Sequence, residues 1–338
     1  MNRPILASSL ALTLLACGAI EPPTSARWPD APAAPISTHA EPQTFAIDSL
    51  AFGDENRQAW TTIGFDLDHK ATTDSSTDVC TRIPGALTPM QRDGALGIDN
   101  SFGNNDAELL RVLSNDSRTL SEAMTDSIRK GAFTLQIQVT GLDGSPAQTN
   151  LGIATQWFAS TVFDPGGGAP TFARTESWPV RADLLDPDAG PFASKYRVRD
   201  GYVVDGTFVS GFGELILGAV FMGEPIDLHL RSAIVVGKVE GDVMTGTLAG
   251  AIDTAEFAAA ATHLAGRVNP RQLCGSEVEY IAHSLSVSSD ILLDGSNEPG
   301  KTCDAISLGA RFTARRIANP THAAPPDVRP GCTRPVGK

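Results

Sequence analysis

The chain has 338 residues, 41% of them hydrophobic, and a formal net charge of −13 at pH 7. A surface this acidic repels phosphate backbones, so the composition argues against nucleic acid as a partner. Beyond the N-terminus, no stretch is apolar over the 18 residues that a membrane-spanning helix needs.

The first sixteen residues have the pattern of an export signal. Arg3 precedes an apolar stretch that runs from Ile5 to Ala16. This stretch is too short to span a bilayer and has the length of the apolar part of a secretory signal. We therefore expect residues 1–16 to be removed. Their removal takes away Arg3 but no acidic residue, and leaves a mature chain with a formal charge of −14 instead of −13.

The signal ends in Leu14-Leu15-Ala16-Cys17, which resembles the lipobox of bacterial lipoproteins. The resemblance implies that Cys17 carries lipid and becomes the first residue of a protein anchored to a membrane. Gly18, where an aspartate would mark the inner membrane, implies the outer membrane or the cell surface. The alternative is an ordinary signal peptide that is cut near Ala16 and leaves Cys17 unmodified.

The four remaining cysteines predict two disulfides, since an even number is typical of exported chains. Cys274 and Cys303 enclose the shortest loop, so we expect that pair. Cys80 and Cys332 would then join the C-terminal tail to the middle of the chain. Four free thiols are the alternative. No two cysteines have the CxxC spacing of a zinc or thioredoxin-like site.

Composition divides the mature chain into three parts. Residues 17–45 are rich in Pro, Ala, Ser and Thr and lack apolar periodicity, which is typical of a disordered tether. Residues 46–318 contain no linker and no repeat, so we expect one globular domain there. Residues 319–338 form a proline-rich tail that a disulfide at Cys332 would hold in place.

Strand patterns dominate the globular part. Apolar and polar residues alternate from Phe133 to Val139, as expected for a strand with one buried face. The segment Ala305–Ile317 is predicted as a strand with four apolar residues on one face: Ile306, Leu308, Ala310 and Phe312. Further strands are predicted over residues 151–162, 215–220, 226–236 and 243–252. These patterns predict a mainly β fold, either a single β-sandwich (jelly-roll or concanavalin-like) or a barrel-like domain.

Two turns are predicted between strands in the middle of the chain. Asp200-Gly201 predicts a two-residue hairpin turn between residues 197 and 203, because both residues tolerate positive φ. The segment 204–208 is predicted as a second turn or a bulge.

Two helices are predicted as insertions in the β domain. Thr119 and Glu122 have the spacing of a capping box, and Lys130-Gly131 predicts the end of that helix. A turn over residues 106–113 precedes it. The second helix is predicted from Asp253 to Gly266.

The segment 64–103, which we term the acidic loop, is the part of the chain richest in oxygen ligands and turn residues. Its five candidate metal ligands are Asp66, Asp68, Asp93, Asp99 and Asn100. If the first two residues lie on a strand, their side chains point to the same face. Ca²⁺ takes six to eight hard oxygens from carboxylates, amides and backbone carbonyls, so the loop is a candidate calcium site.

A structural interpretation of the same residues stands beside the metal site. Asp and Asn side chains commonly accept hydrogen bonds from nearby backbone amides and so build turns without any ion. His69 and Lys70 follow Asp68 where an EF-hand requires Asp or Asn and Gly, so that template is excluded. His69 is itself either a ligand or base, or a histidine on a surface loop.

Catalytic templates are missing from the sequence. No HExxH motif of a zincin and no G-x-S-x-G motif of an α/β-hydrolase occurs. The carboxylates in the strand-rich region have no spacing that pairs them for glycoside hydrolysis. The catalytic residues therefore stay unassigned.

Three internal patches and the lipobox resemble a known class of protein. The patches are GFDLD at residues 64–68, DGALGIDN at residues 93–100 and CDAISLG at residues 303–309. Together they resemble a group of secreted lipoproteins of myxobacteria-like Gram-negative bacteria, over residues 62–113 and 300–316. The resemblance implies an extracytoplasmic location and no particular activity.

Two functional hypotheses follow. The first is a lipid-anchored binding or structural module of the cell envelope, stabilised by calcium if the acidic loop binds that ion, with a partner in the envelope. The second is a secreted hydrolase of carbohydrate or another polymer. The second hypothesis requires a cleft with two facing carboxylates of perturbed pKa.

Overall fold

The computed structural model describes residues 26–83, 92–114, 117–164, 168–221, 224–268 and 276–326. The predicted anchor Cys17 lies outside these ranges, as do Cys274 and Cys332. None of the described helices combines the length and the apolar character needed to cross a membrane.

The fold is mainly β, as the sequence predicts. Its strands are β1 Gln43–Ala51, β2 Leu135–Thr140, β3 Asn150–Ala159, β4 Val180–Arg181, β5 Arg197–Val204, β6 Thr207–Val209, β7 Gly213–Phe221, β8 Glu224–Glu240, β9 Val243–Asp253, β10 Ala305–Ile317 and β11 Ala323–Ala324. Its α-helices are α1 Ala107–Ser114, α2 Leu120–Arg129, α3 Thr254–Val268 and α4 Ser276–Ser286.

Nine strands form one antiparallel sheet in the order β6-β5-β3-β2-β1-β10-β9-β8-β7. β6 also pairs with β8, so the sheet closes on itself and the architecture is barrel-like. The long strand β8 pairs with β7 through its first half and with β6 through its second half. Ser232, with φ +48°, lies where the register of β8 shifts between the two halves.

One apolar cluster collects side chains from all nine strands of this sheet and from the four helices. The four residues predicted to share one face of β10, Ile306, Leu308, Ala310 and Phe312, all belong to it. The alternate residue Ala305 belongs to a second cluster on the opposite face, together with Phe65 and Leu67 of the acidic loop. The acidic loop therefore packs on the outer face of the sheet.

Both predicted helices are confirmed. The Thr119 side chain accepts a hydrogen bond from the Glu122 amide, and the Glu122 carboxylate accepts one from the Thr119 amide, which completes the capping box of α2. The Asp253 carboxylate accepts hydrogen bonds from the amides of Ala255 and Glu256 at 2.9 and 3.0 Å, at the start of α3.

The predicted hairpin at Asp200-Gly201 is wrong. β5 runs through both residues, and the register with β3 shifts on either side of Ile153, the partner of Gly201. The chain turns instead at Asp205-Gly206, where both residues have positive φ, +47° and +73°. A type I′ turn requires positive φ at both central residues, and the second Asp-Gly pair supplies it.

The predicted disorder of residues 17–45 is corrected for residues 26–45. Residues 43–45 begin β1, and we term residues 26–42 the strap. The strap pairs with β3 through hydrogen bonds from Leu151 N to Pro35 O at 2.9 Å and from Ser37 N to Leu151 O at 2.8 Å. Nearby, the Tyr202 hydroxyl donates to Pro29 O at 2.5 Å. Backbone pairing is independent of side-chain periodicity, which explains why composition failed to indicate it.

Candidate metal centre

The acidic loop approaches β10 so closely that a side chain is excluded at Gly309. A Cβ atom at Gly309 would lie 2.3 Å from Ile63 O and 2.6 Å from Gly64 Cα. Asn100 clamps the contact: its side-chain amide donates to Phe52 O and Ile63 O, both at 2.9 Å, and accepts from the amides of Gly103 and Gly309, both at 3.0 Å.

Asn100 is therefore a structural residue and is removed from the predicted ligand set. An amide oxygen has two lone pairs, and both are occupied by backbone amides. The amide hydrogens of Asn100 are also both used. The turn interpretation accounts for one of its four hydrogen bonds, the one from Gly103 N, and the other three join segments that are distant in sequence.

Three of the predicted ligands come together. Asp66, Asp68 and Asp99 each offer one carboxylate oxygen within 4.8 Å of the other two. Asp99 reaches the other two because its backbone forms an antiparallel bridge with Phe65, with Asp99 N donating to Phe65 O at 2.9 Å. Asp66 and Asp99 are 5% and 1% exposed, so both carboxylates lie almost entirely out of solvent.

The two oxygens of each of the three carboxylates have different surroundings. One oxygen accepts a hydrogen bond from another residue of the chain. Asp66 Oδ2 accepts from Arg27 at 3.0 Å, Asp68 Oδ1 from Lys70 N at 2.8 Å, and Asp99 Oδ2 from Leu67 N at 2.7 Å. The second oxygen, Oδ1 of Asp66 and Asp99 and Oδ2 of Asp68, is buried and accepts no hydrogen bond from the part of the chain that the structure describes.

Burial and nearby negative charges raise the pKa of two of these carboxylates, Asp68 and Asp99. Burial raises the pKa of Asp99 well above its usual range, and the charges of Asp68, Asp93 and Asp290 raise it further. Burial also raises the pKa of Asp68, and Asp66 adds to the rise. Such a cluster gains from a compensating positive charge, which either protons or a metal ion can supply.

Asp93, the fifth predicted ligand, lies beside the three carboxylates but is not one of the oxygens that converge. Its Oδ2 atom accepts a hydrogen bond from Thr72 N, and Asp93 N donates to Thr72 O at 3.2 Å. Burial raises the pKa of Asp93 to about 8, and Asp68 and Asp290 contribute to the rise.

Asp290 was not among the predicted site residues. It lies between α4 and β10, outside the acidic loop, and is 8% exposed. Its oxygens accept hydrogen bonds from Ser307 N at 2.8 Å and Ser307 Oγ at 2.5 Å. Burial raises its pKa to about 6 against the opposing hydrogen bonds from Ser307. Its single preceding signal was the run of turn-forming residues Ser288-Ser289-Asp290.

Gly97 leaves room for a backbone carbonyl at the cluster. It has φ +89°, and a Cβ atom there would lie 2.6 Å from Lys70 O and 3.4 Å from Asp66 Cγ. Lys70 O is thus a neighbour of the Asp66 carboxyl group. Backbone carbonyls are common ligands of Ca²⁺.

The described disulfide joins Cys80 to Cys303, with 5.2 Å between the Cα atoms, so both predicted pairings are wrong. Thr81 N donates to Lys301 O at 2.7 Å and Cys303 N to Thr81 O at 3.0 Å, which places the acidic loop beside the start of β10. The choice of the shortest loop failed because closure entropy grows only slowly with loop length, whereas tertiary contacts decide which thiols meet.

A cleft of about 1000 Å³ lies elsewhere, between β7, β8, β4 and α3. Its acidic residues include Asp183 and Asp227, which both bind the guanidinium group of Arg181, at 2.7 and 2.5 Å. A carboxylate pair that shares one arginine is poorly arranged for the acid and base roles of a glycosidase.

His69 is exposed, has φ +62° and lies with its ring 6.1 Å from that of Trp28. This placement agrees with a histidine on a surface loop.

Comparison of the chain with protein-family models, with curated protein sequences and with solved structures found no match. The resemblance to secreted lipoproteins stays a prediction from the sequence patches.

Proposed function

We propose that the chain is a lipid-anchored protein of the cell envelope whose β domain acts as a binding or structural module and is stabilised by calcium. The observation that carries the proposal is the convergence of three buried carboxylates, each with one oxygen that lacks a hydrogen-bond donor among the described residues. The lipobox at Cys17 supports the anchor, and the Cys80–Cys303 disulfide agrees with an oxidising compartment.

The donor set favours a hard cation. All the convergent ligands are oxygens, whereas zinc sites are usually built from cysteine and histidine. Oxygens on opposite sides of a Ca²⁺ ion lie up to about 5 Å apart, so three oxygens within 4.8 Å fit around one ion. Mg²⁺ demands a smaller, near-ideal octahedron and retains most of its water, which suits a buried cluster less well.

The hydrolase hypothesis has less support. Asp99, whose pKa is raised by burial, lies in the buried cluster, and Asp93 lies beside it, whereas the acids named above in the open cleft are bound to Arg181. We therefore retain the module as the proposed function.

Thermal melts of the purified protein test the calcium site. We expect millimolar Ca²⁺ to raise the melting temperature by roughly 5 °C or more over chelator, since a ligand at 100 times its Kd adds about 2.7 kcal/mol. Mg²⁺ should act more weakly.

Recovery of the wild type, but not of Cys17→Ser, in the membrane fraction would support the anchor.

The variant Asp99→Asn tests ion binding while it preserves a hydrogen bond that the fold uses. Its amide oxygen can still accept from Leu67 N, so the variant should melt at the wild-type temperature or above in chelator and lose the calcium response. Asp74→Asn is the control, because Asp74 is exposed in the same loop. A wild type with equal melting temperatures in Ca²⁺ and chelator would refute the calcium site.

A further inference from the structure

The strap meets the candidate metal centre at its first described residues. Asp66 N donates to Ala26 O at 2.9 Å. Arg27 places both Nε and Nη2 3.0 Å from Asp66 Oδ2. The Arg27 side chain is 55% exposed and that of Asp66 is 7% exposed, so the guanidinium group covers the carboxylate from the solvent side.

Arg27 and a metal ion would use different oxygens of the same carboxylate. The guanidinium group binds Oδ2, while Oδ1 is the buried atom without a donor among the described residues. Hydrogen bonds to the second atom of a ligand group fix its orientation, and their loss typically lowers metal affinity by about 10–100-fold.

The charges favour simultaneous binding. Three ionised carboxylates and one guanidinium group leave two negative charges, which a divalent cation neutralises. Without the cation, the same site keeps an excess of buried negative charge, which is costly out of water.

We propose that Arg27 is a positioning residue of the cation site, so that cation binding and docking of the strap stabilise each other. The coupling is reciprocal by thermodynamic necessity: if the docked strap raises the affinity for the cation, the cation raises the stability of the docked strap by the same factor. The proposal rests on the proposed function, because it requires that the site binds a cation.

The residue after Arg27 packs on the same segment of the acidic loop. Beyond Arg27, Trp28 makes edge contacts with Phe65 and Phe212, with ring centroids 5.7 and 5.2 Å apart. Phe65 precedes Asp66, so the cation site and the ring contacts share one segment of the acidic loop.

Coupling of this kind would set the distance between the domain and its anchor. Ala26 lies nine positions after Cys17, whereas the first residue of β1, Gln43, lies 26 positions after it. At about 3.4 Å per residue, the longest reach is about 30 Å with the strap docked and about 90 Å with the strap released. Cation binding would thus hold the domain near the membrane.

Limited trypsin digestion tests the coupling, because cleavage after Arg27 requires the strap to leave the domain. We expect cleavage at Arg27–Trp28 in the purified protein to be at least tenfold slower in 1 mM CaCl₂ than in chelator. Cleavage at Arg174–Thr175, in an exposed segment of the β3–β4 connection, should proceed at the same rate in both, which controls for unfolding.

Calorimetric titration with CaCl₂ tests the same coupling from the other side. Arg27→Gln should bind Ca²⁺ at least tenfold more weakly than wild type, with a small change in melting temperature in chelator, and Arg27→Lys should recover part of the affinity. Arg57→Gln, at an exposed arginine outside the strap and the acidic loop, should bind as wild type.

The outcomes separate the two proposals. A protein that binds no calcium would refute the proposed function and this inference together. A protein that binds calcium but is cleaved after Arg27 at one rate in both conditions would refute the inference alone. Wild-type calcium affinity in Arg27→Gln would refute it as well.

Discussion

At the scale of single residues, the candidate metal centre depends on how each buried carboxylate uses its two oxygens. Asp66 and Asp99 each have one oxygen satisfied by a donor of the fold and one buried oxygen without a donor in the described structure. An unpaired buried oxygen is costly, since desolvation is not repaid by a hydrogen bond. The three carboxylates converge, with one oxygen of each within 4.8 Å of the other two, so a single ion bound between them can compensate for their buried charge.

Gly97 provides a test of this geometry. Gly97→Ala would incur the cost of positive φ and would also place Cβ 2.6 Å from Lys70 O, so the two loop segments must separate. We expect it to lower the free energy of unfolding by about 2–4 kcal/mol and to abolish the calcium response. Urea unfolding in Ca²⁺ and in chelator measures both effects.

Gly241→Ala is the matched control for the cost of the backbone conformation. Gly241 has φ +63°, and no atom lies within 4 Å of a Cβ there, so the variant should lose about 1 kcal/mol and keep the full calcium response. Equal losses in the two variants would show that Lys70 O does not pack against position 97.

At the scale of elements, the sequence predicts those whose signal is local. The capping box of α2 and the alternation in β10 are both contained within a few residues, and the structure confirms them. The strap and α4 were missed. The strap is held by backbone contacts with Leu151 and by Tyr202, which are far away in sequence.

The candidate site was predictable in composition but not in arrangement. The acidic loop was identified from its residue types, and Asp66 and Asp68 were expected on one face. The Asn100 side chain makes four hydrogen bonds with backbone groups, and Asp290 approaches the site from the other end of the chain. Both features depend on the register between the acidic loop and β10. No local pattern encodes that register.

The Cys80–Cys303 disulfide joins two elements 223 residues apart and leads to an element-scale prediction. Non-reducing peptide mapping should recover a peptide that contains both cysteines. Removal by Cys80→Ser with Cys303→Ser should lower the free energy of unfolding by about 2–5 kcal/mol. With this pair formed, Cys274 and Cys332 are the two other cysteines of the predicted mature chain after Cys17. Recovery of Cys303 bonded to Cys274 would contradict the structure.

At the scale of the whole molecule, the closed sheet separates the apolar cluster that it encloses from the acidic residues of the outer loops. Most strands in the closed ring pair with a neighbour in sequence, but β1 pairs with β10 and β6 pairs with β8. The turns β5–β6 and β8–β9 are short, whereas β1–β2 and β9–β10 are joined by long segments. Both long segments contribute to the acidic cluster, through Asp99 and Asp290. The apolar cluster enclosed by the sheet can therefore stay intact while the outer loops gain or lose an ion.

The raised pKa values of buried acids in the outer loops predict how the free energy of unfolding depends on pH. Burial raises the pKa of Asp93 to about 8 and that of Asp290 to about 6, from an unfolded value of about 3.9. Between about pH 4 and pH 8 the folded chain therefore binds more protons than the unfolded chain. The stability that these groups contribute is greatest at low pH and is lost as pH rises through their folded pKa values.

In chelator, we expect the free energy of unfolding to be more than about 1 kcal/mol larger at pH 5 than at pH 8. The charges of Asp68 and Asp290 add to the raised pKa of Asp93, and the charge of Arg82 opposes the raised pKa of Asp290. Asp93→Asn should reduce the slope, since the amide does not ionise. Calcium should reduce it too, because the ion replaces protons at pH 8 and is displaced at pH 5. Urea unfolding at pH 5, 6, 7 and 8 measures the slope. A stability in chelator that increases from pH 5 to pH 8 in the wild type, with the same slope in Asp93→Asn, would contradict the cluster described here.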